Sequence, residues 1–93
     1  MITLSDKAIL IHPRDNVATA RAVIEKGMKL VCEDGREIVA RADIPFGHKI
    51  ALRNVPEGEP VIKYGEEIGQ TSAPIMVGDH VHVHNVESQR GRG

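Results

Sequence analysis

The sequence predicts a mostly β domain of short strands and glycine turns, with one short helix near the N-terminus. Three observations carry that expectation. Among 93 residues there are ten Val and ten Ile but four Leu, one Tyr, one Phe and no Trp, and β-branched side chains suit a pleated strand better than a helix. Asp34-Gly35 stands between two apolar runs in MKLVCEDGREIVARA. That is a hairpin signal, because a type I′ turn needs positive φ at both central residues. Finally, IPFGHKI (44–50), VPEGEPV (55–61) and IMVGDHV (75–81) share one pattern: apolar, two residues, Gly, two residues, apolar.

Taken in order, AILIHP at 8–13 reads as a first strand, ended by Pro13, which cannot donate to a ladder. The stretch 15–27 reads as the short helix. Asp15 would be its N-cap and Gly27 its C′ residue, with Val17, Ala20 and Ile24 at helical spacing on one face. The Asp34-Gly35 hairpin follows. In the first two Gly-turn copies, Pro at the second position and Gly at the fourth suit a type I turn. Each copy leads into a short apolar stretch, and KYGEEIG (63–69) offers two further glycine turns. The expected organisation is one domain over 1–87 and a flexible Gly/Arg tail over 88–93.

A chain of this size buries only roughly 60–65% of its unfolded surface. The formal net charge is −1, with acids and bases interspersed. No basic stripe and almost no aromatic face is available for stacking bases, which argues against nucleic acid as a partner. Cys32 is the single cysteine, so an internal disulfide is excluded. The longest apolar run, AILI at 8–11, is too short to span a bilayer. No signal-peptide pattern is visible, so the default expectation is a cytoplasmic protein without a membrane partner.

HVHVHN at 80–85 holds three of the five histidines. On a strand, His80, His82 and His84 would share one face and Val81 and Val83 the other. Neighbouring imidazoles would stand ~6.5–7 Å apart and the outer two ~13 Å apart. One ion could then take two of His80, His82 and His84 but not readily all three, since zinc–nitrogen bonds are about 2.0–2.1 Å. His48 is the internal candidate for a further ligand. The plainer reading is a half-exposed polar face over a valine core. Gly47-His48-Lys49 at a turn could approach an anion with backbone and side chain together: the His able to exchange a proton near neutral pH, the Lys able to pair with a carboxylate. A solvated turn explains the same residues. Lys63 and Tyr64 before Gly65 either aim an ammonium and a phenol at a polar ligand or place the one tyrosine ring on the core. His12, between Ile11 and Pro13, ends a strand and fits either role.

The stretch IPFGHKIALRNVPEGEPVIKYGEEIGQTSAPIMVGDHVHVHNVES resembles the SAF-type domain of the altronate and galactarate dehydratase family. The matching motifs are IPxGHKxAL at 44–52, EG followed by VIKYG at 58–65, IG at 68–69 and GDHVHVHN at 78–85, and IHPRDNVATA also fits. The resemblance implies a β-clip fold and a role in dehydrating sugar acids to 2-keto-3-deoxy acids. It implies a divalent metal, iron or manganese, held mainly by a large catalytic partner subunit. It also implies catalytic roles for His48, His82 and His84, and substrate-binding roles for Gly47, Lys49, Lys63, Tyr64 and Asn85. The small subunit of sulfolactate sulfo-lyase is a close relative with similar motifs, so elimination of sulfite from a 2-hydroxy acid is an alternative. Two non-enzymatic roles fit the same residues: a subunit-docking module, including a homo-oligomeric one, and a free-standing ligand or metal binder. The end at RGRG fits either a small subunit or an excised domain.

Overall fold

The computed structural model describes residues 2–88. Among these it contains ten strands and no helix. Five antiparallel strands make the central sheet. In spatial order they are β1 (Ile2–Leu4), β2 (Ala8–Leu10), β3 (Val17–Ala20), β6 (Lys49–Ala51) and β9 (His80–Val81). β7 (Pro60–Lys63), β8 (Glu66–Thr71) and β10 (Val86–Ser88) form a three-stranded sheet with β8 central. β4 (Lys29–Val31) and β5 (Glu37–Val39) form a hairpin of their own.

The mostly β expectation holds, but the helix at 15–27 is replaced by β3 and a turn. β3 pairs with β2 through Ala8 and Ala20, and with β6 through Val17 and Ala51. Its two faces serve different cores. Val17 joins Ala51, Val55, Val61, Ile75 and Val81. Ala18 and Ala20 join Leu4, Ile24, Leu30, Ile38, Ile44 and Ile50. A strand covered on both faces is apolar almost throughout, so its positions also satisfy a helical spacing by coincidence. Gly27 then caps no helix: it sits in a turn at φ 90°.

That turn is a fourth copy of the glycine pattern, IEKGMKL at 24–30. In every copy the residue after the glycine donates its N–H to the carbonyl three positions back. The bonds are Met28 to Glu25 at 3.0 Å, His48 to Pro45 at 3.0 Å, Glu59 to Pro56 at 3.3 Å and Asp79 to Met76 at 2.9 Å. Gly27, Gly47, Gly58 and Gly78 have φ between 84° and 92°. Positive φ at the third turn position is the type II geometry, not the expected type I. The copies also pair: Ile24 exchanges backbone hydrogen bonds with Ile44, and Val55 with Ile75.

Two other turn expectations are corrected. Asp34-Gly35 closes a three-residue loop rather than a two-residue one. Gly35 donates to Cys32 O and Cys32 to Arg36 O, with positive φ at Gly35 but not at Asp34, the pattern of a type I turn followed by a G1 bulge. Gly69 makes no turn. It lies inside β8, where an added Cβ would come 2.5 Å from Glu87 O, so its bare Cα lets β10 approach. Of the tail expected at 88–93, Ser88 pairs with Gly69 in β10, and 89–93 lie outside the described residues.

These contacts predict an order of glycine substitutions. Around Gly47 an added Cβ meets nothing within 4 Å, so Gly47→Ala should cost only the left-handed backbone, about 1–2 kcal/mol. At Gly78 the Cβ would run into Val39 O, so Gly78→Ala should lower stability clearly more. Urea unfolding midpoints of the two variants check the order, and equal losses would contradict it.

Candidate functional site

The short pairing of β6 with β9 sets Ile50 opposite His80 and Lys49 opposite Val81. It brings the Gly47-His48-Lys49 turn against the histidine segment. His48 is fixed from behind: Gly47 N–H donates to Ala20 O at 2.8 Å, and Ala20 N–H donates to His48 O at 2.8 Å. The Gly47 amide is thus engaged within the fold, while the His48 ring stands toward β9.

The alternation expected for residues 80–84 stops early. β9 ends at Val81, and residues 82–85 form a turn closed by Asn85 N–H donating to His82 O at 3.1 Å. Val81 is buried as expected, but Val83 is 81% exposed because it sits on the turn. Asn85 is buried. Its Oδ1 accepts from His82 N–H at 3.0 Å and its Nδ2 donates to His80 O at 2.9 Å. Its amide therefore shapes the backbone that carries His80 and His82.

His48, His80 and His82 form one cluster, with His84 beside it. The rings of His48 and His82 stack at 3.9 Å between centroids, His48 and His80 at 5.0 Å, and His80 and His82 at 5.7 Å. His48 Nδ1 and His80 Nε2 share a hydrogen bond at 2.8 Å. The exposed His84 tilts 39° against His80, 5.1 Å away. Turn formation thus gathers imidazoles that an extended strand would have spread.

Two of these imidazoles, His80 and His82, are held toward the neutral form. Desolvation, followed by neighbouring His84, His48 and His82, holds His80 below the ordinary histidine value. His82 is lowered by desolvation, then by His48, Lys49 and His84. Lys49 is half-buried and lowered by burial, with Lys63 adding to it. Every charge shifting these three groups is basic, so the surface suits an anion. A cleft of about 160 Å³ adjoins it, with Lys49 and His82 on a mostly apolar lining of Val61, Ile68, Val81, Val83 and Val86.

The Lys63-Tyr64-Gly65 turn is held by residues that sequence reading cast differently. Asp15, the expected N-cap, is 2% exposed. It accepts from Gly65 N–H at 2.8 Å and from His12 N–H at 3.1 Å. Asn16 accepts from Ile62 N–H at 2.8 Å and donates to Pro60 O at 3.0 Å. The His12 ring packs so closely on Gly65 that an added Cβ would lie 3.0 Å from it. Tyr64 takes a positive φ of 57° and is 54% exposed, with Lys63 Nζ 4.8 Å from its ring centroid. The tyrosine is thus a surface group rather than a core ring. A buried Asp-Asn pair just before a strand is the signal that sequence reading missed.

The donor set fits a divalent metal. One nitrogen each from His48, His80 and His82 lies within 4.8 Å of the others. Ligands of a tetrahedral ion stand about 3.3 Å apart at ordinary bond lengths. Reaching that spacing takes rotation about the side-chain bonds. The ~13 Å spread expected of the outer imidazoles does not occur: the turn brings His84 to 5.1 Å from His80, and the third ring of this set comes from the β6 turn.

Two outcomes follow. Removing the Asp15 carboxylate with Asp15→Ala should cost about 1.5–3 kcal/mol, the worth of hydrogen bonds to a charged group, and should speed amide exchange at Gly65. Exchange at Gly65 as slow as in the parent would contradict this. For His80 and His82 the folded pKa lies below the unfolded value of 6.5. The unfolded chain then binds more protons, so metal-free stability should fall as pH drops through 6.5 toward the lowered folded values. Unfolding midpoints that stay flat across that window would refute it.

Comparison with known sequences agrees with the geometry. The altronate/galactarate dehydratase SAF domain profile matches residues 6–89. Altronate dehydratase of Bacillus subtilis is 44% identical over 80 residues, covering 86% of this chain and 16% of that protein. Galactarate dehydratase (L-threo-forming) of Escherichia coli is 37% identical over 75 residues, 78% of this chain and 14% of that protein. The (2R)-sulfolactate sulfo-lyase subunit alpha of Paracoccus pantotrophus is 49% identical over 53 residues, 57% of this chain and 79% of that subunit. The chain thus spans a small part of the dehydratases and most of the length of the sulfo-lyase subunit. With the profile covering nearly all of its length, the chain belongs to the altronate/galactarate dehydratase SAF domain family.

Proposed function

We propose that this chain is the SAF part of a sugar-acid dehydratase and acts with a large catalytic partner. The reaction removes water from an aldonic or aldaric acid and yields a 2-keto-3-deoxy acid. One observation carries the reading: the imidazole cluster and two lysines converge on one basic face in a chain of this family. The α-proton of a hydroxy acid is weakly acidic, so its removal needs a base and a cation near the carboxylate. The β-hydroxyl then leaves as water with a proton from an acid, and the enol becomes the ketone. An imidazole can take up or release a proton near neutral pH, which suits both steps. His48, His82 and His84 line the face where the proton is taken and returned. Lys49 and Lys63 bind the substrate carboxylate. Tyr64 presents its hydroxyl at the rim. Gly47 and Asn85 hold the two turns in place. A divalent iron or manganese ion, shared with the partner, would supply positive charge to the enediolate oxygens.

A second reading rests on the likeness to the (2R)-sulfolactate sulfo-lyase subunit alpha, which is 49% identical over the 53 residues it matches. In that reading the leaving group is sulfite rather than water, and the same base and carboxylate contacts apply.

Assaying the chain with its large partner on altronate, galactarate and sulfolactate separates the two. In the assembled enzyme, alanine at His82 or His84 should lower kcat/KM by about 10²–10⁴. Lys49→Met should raise KM by about tenfold or more. Activity untouched by all of these substitutions would reduce the chain to a docking role.

A further inference from the structure

We infer that His48, His80 and His82 bind one divalent transition-metal ion on this chain alone, with His84 outside the site as a free imidazole. Binding does not depend on the reaction proposed above; only the use made of the ion rests on that reading.

The three donors come from two backbone elements that are both fixed before any ligand arrives. His48 follows a type II turn tied to Ala20 by two hydrogen bonds. His80 and His82 are carried by backbone that the buried Asn85 clamps from both sides. The candidate nitrogens already lie within 4.8 Å of one another, so the backbone needs no rearrangement and only the side chains must turn. The His48–His80 hydrogen bond at 2.8 Å holds two of them closer than ligands of one ion stand. A bound ion takes the place of that bond.

Ring orientation says how the site changes. An imidazole binds a metal along its lone pair, in the plane of the ring. His80 and His82 are parallel to within 10°, and His48 and His82 to within 15°. Parallel rings 3.9 Å apart cannot all contain one ion in their planes. The metal-free stack must fan out by rotation about the side-chain bonds. The half-exposed state of all three rings leaves room for that.

Ligand chemistry sets the preference. Three neutral nitrogens and no carboxylate favour iron(II), cobalt(II) and zinc(II) over magnesium and calcium, and place manganese(II) weakest among the transition ions. Three protein ligands leave positions open toward solvent, the arrangement of catalytic rather than structural centres. His84 is on the 82–85 turn, tilted and exposed. Three imidazoles thus surround the ion, and His84 stands beside them.

Anaerobic titration of the full chain with cobalt(II), read by visible absorption and calorimetry, tests this. One ion per chain is expected, with manganese(II) binding more weakly. Losing a partner that merely orients a ligand costs about 10–100-fold in affinity. Losing a ligand should therefore cost at least about 100-fold in each of His48→Ala, His80→Ala and His82→Ala. His48→Gln, closer in size, should lose as much, which separates ligation from packing; far-UV circular dichroism confirms that each variant is folded. His84→Ala and His12→Ala should bind as the parent does. No uptake by the parent at micromolar protein would overturn the proposal. So would a loss in His84→Ala as large as in the other three. If the chain binds no ion while the assembled enzyme turns over a sugar acid, the site fails and the reaction stands. If the ion binds with the expected variant pattern but no sugar acid is consumed, the site stands and the reaction fails.

Discussion

The candidate site depends on one short antiparallel register, Ile50 opposite His80 and Lys49 opposite Val81. Side chains alternate with a period of two, so a slip of one residue would turn His80 and Val81 to opposite faces. A two-residue strand resists slipping only weakly by itself. Here its register is pinned from outside the ladder. Ala51 N–H donates to Asp79 O, and Gly78 N–H donates to Ala51 O, both at 2.9 Å. Burial of Val81 beneath Ala51 and Val61 adds a second constraint. The histidines are gathered because everything around β9 is fixed.

Much of this architecture was legible in local chemistry. Strand content followed from Val and Ile, and three glycine turns followed from their spacing. The fourth, at Ile24-Gly27, carries the same I-x-x-G-x-K order as Ile44-Lys49 but, like the copy at 75–81, has no proline at its second position, and it closely follows an apolar stretch at helical spacing. Without that marker, Val17, Ala20 and Ile24 read more readily as a helical stripe. Periodicity could not separate the two, because β3 is covered on both faces and so has no polar alternation to display.

The site was legible in its membership more than in its geometry. GHK and HVHVHN name the imidazoles, but the strand rule spreads them over ~13 Å. What contracts them is the turn at 82–85, and the turn depends on Asn85 reaching two backbone groups. Such capping is a three-dimensional fact about one buried amide. The same holds for Asp15, whose contact with Gly65 spans fifty residues of sequence. Local rules assign an aspartate before an apolar stretch to a helix start; only the distant turn amide explains why it is buried.

The central sheet is a shared wall with a separate core on each side. Leu30, Ile38 and Ile44 pack on one side, Val55, Val61 and Ile75 on the other. Proteins open in cooperative pieces that follow such divisions. The side holding the cleft can therefore loosen while the other keeps the chain folded. Breathing motions at the lysine- and histidine-bearing surface then draw on the smaller reservoir of apolar contacts. The larger one acts as ballast, keeping the chain folded when the smaller core gives.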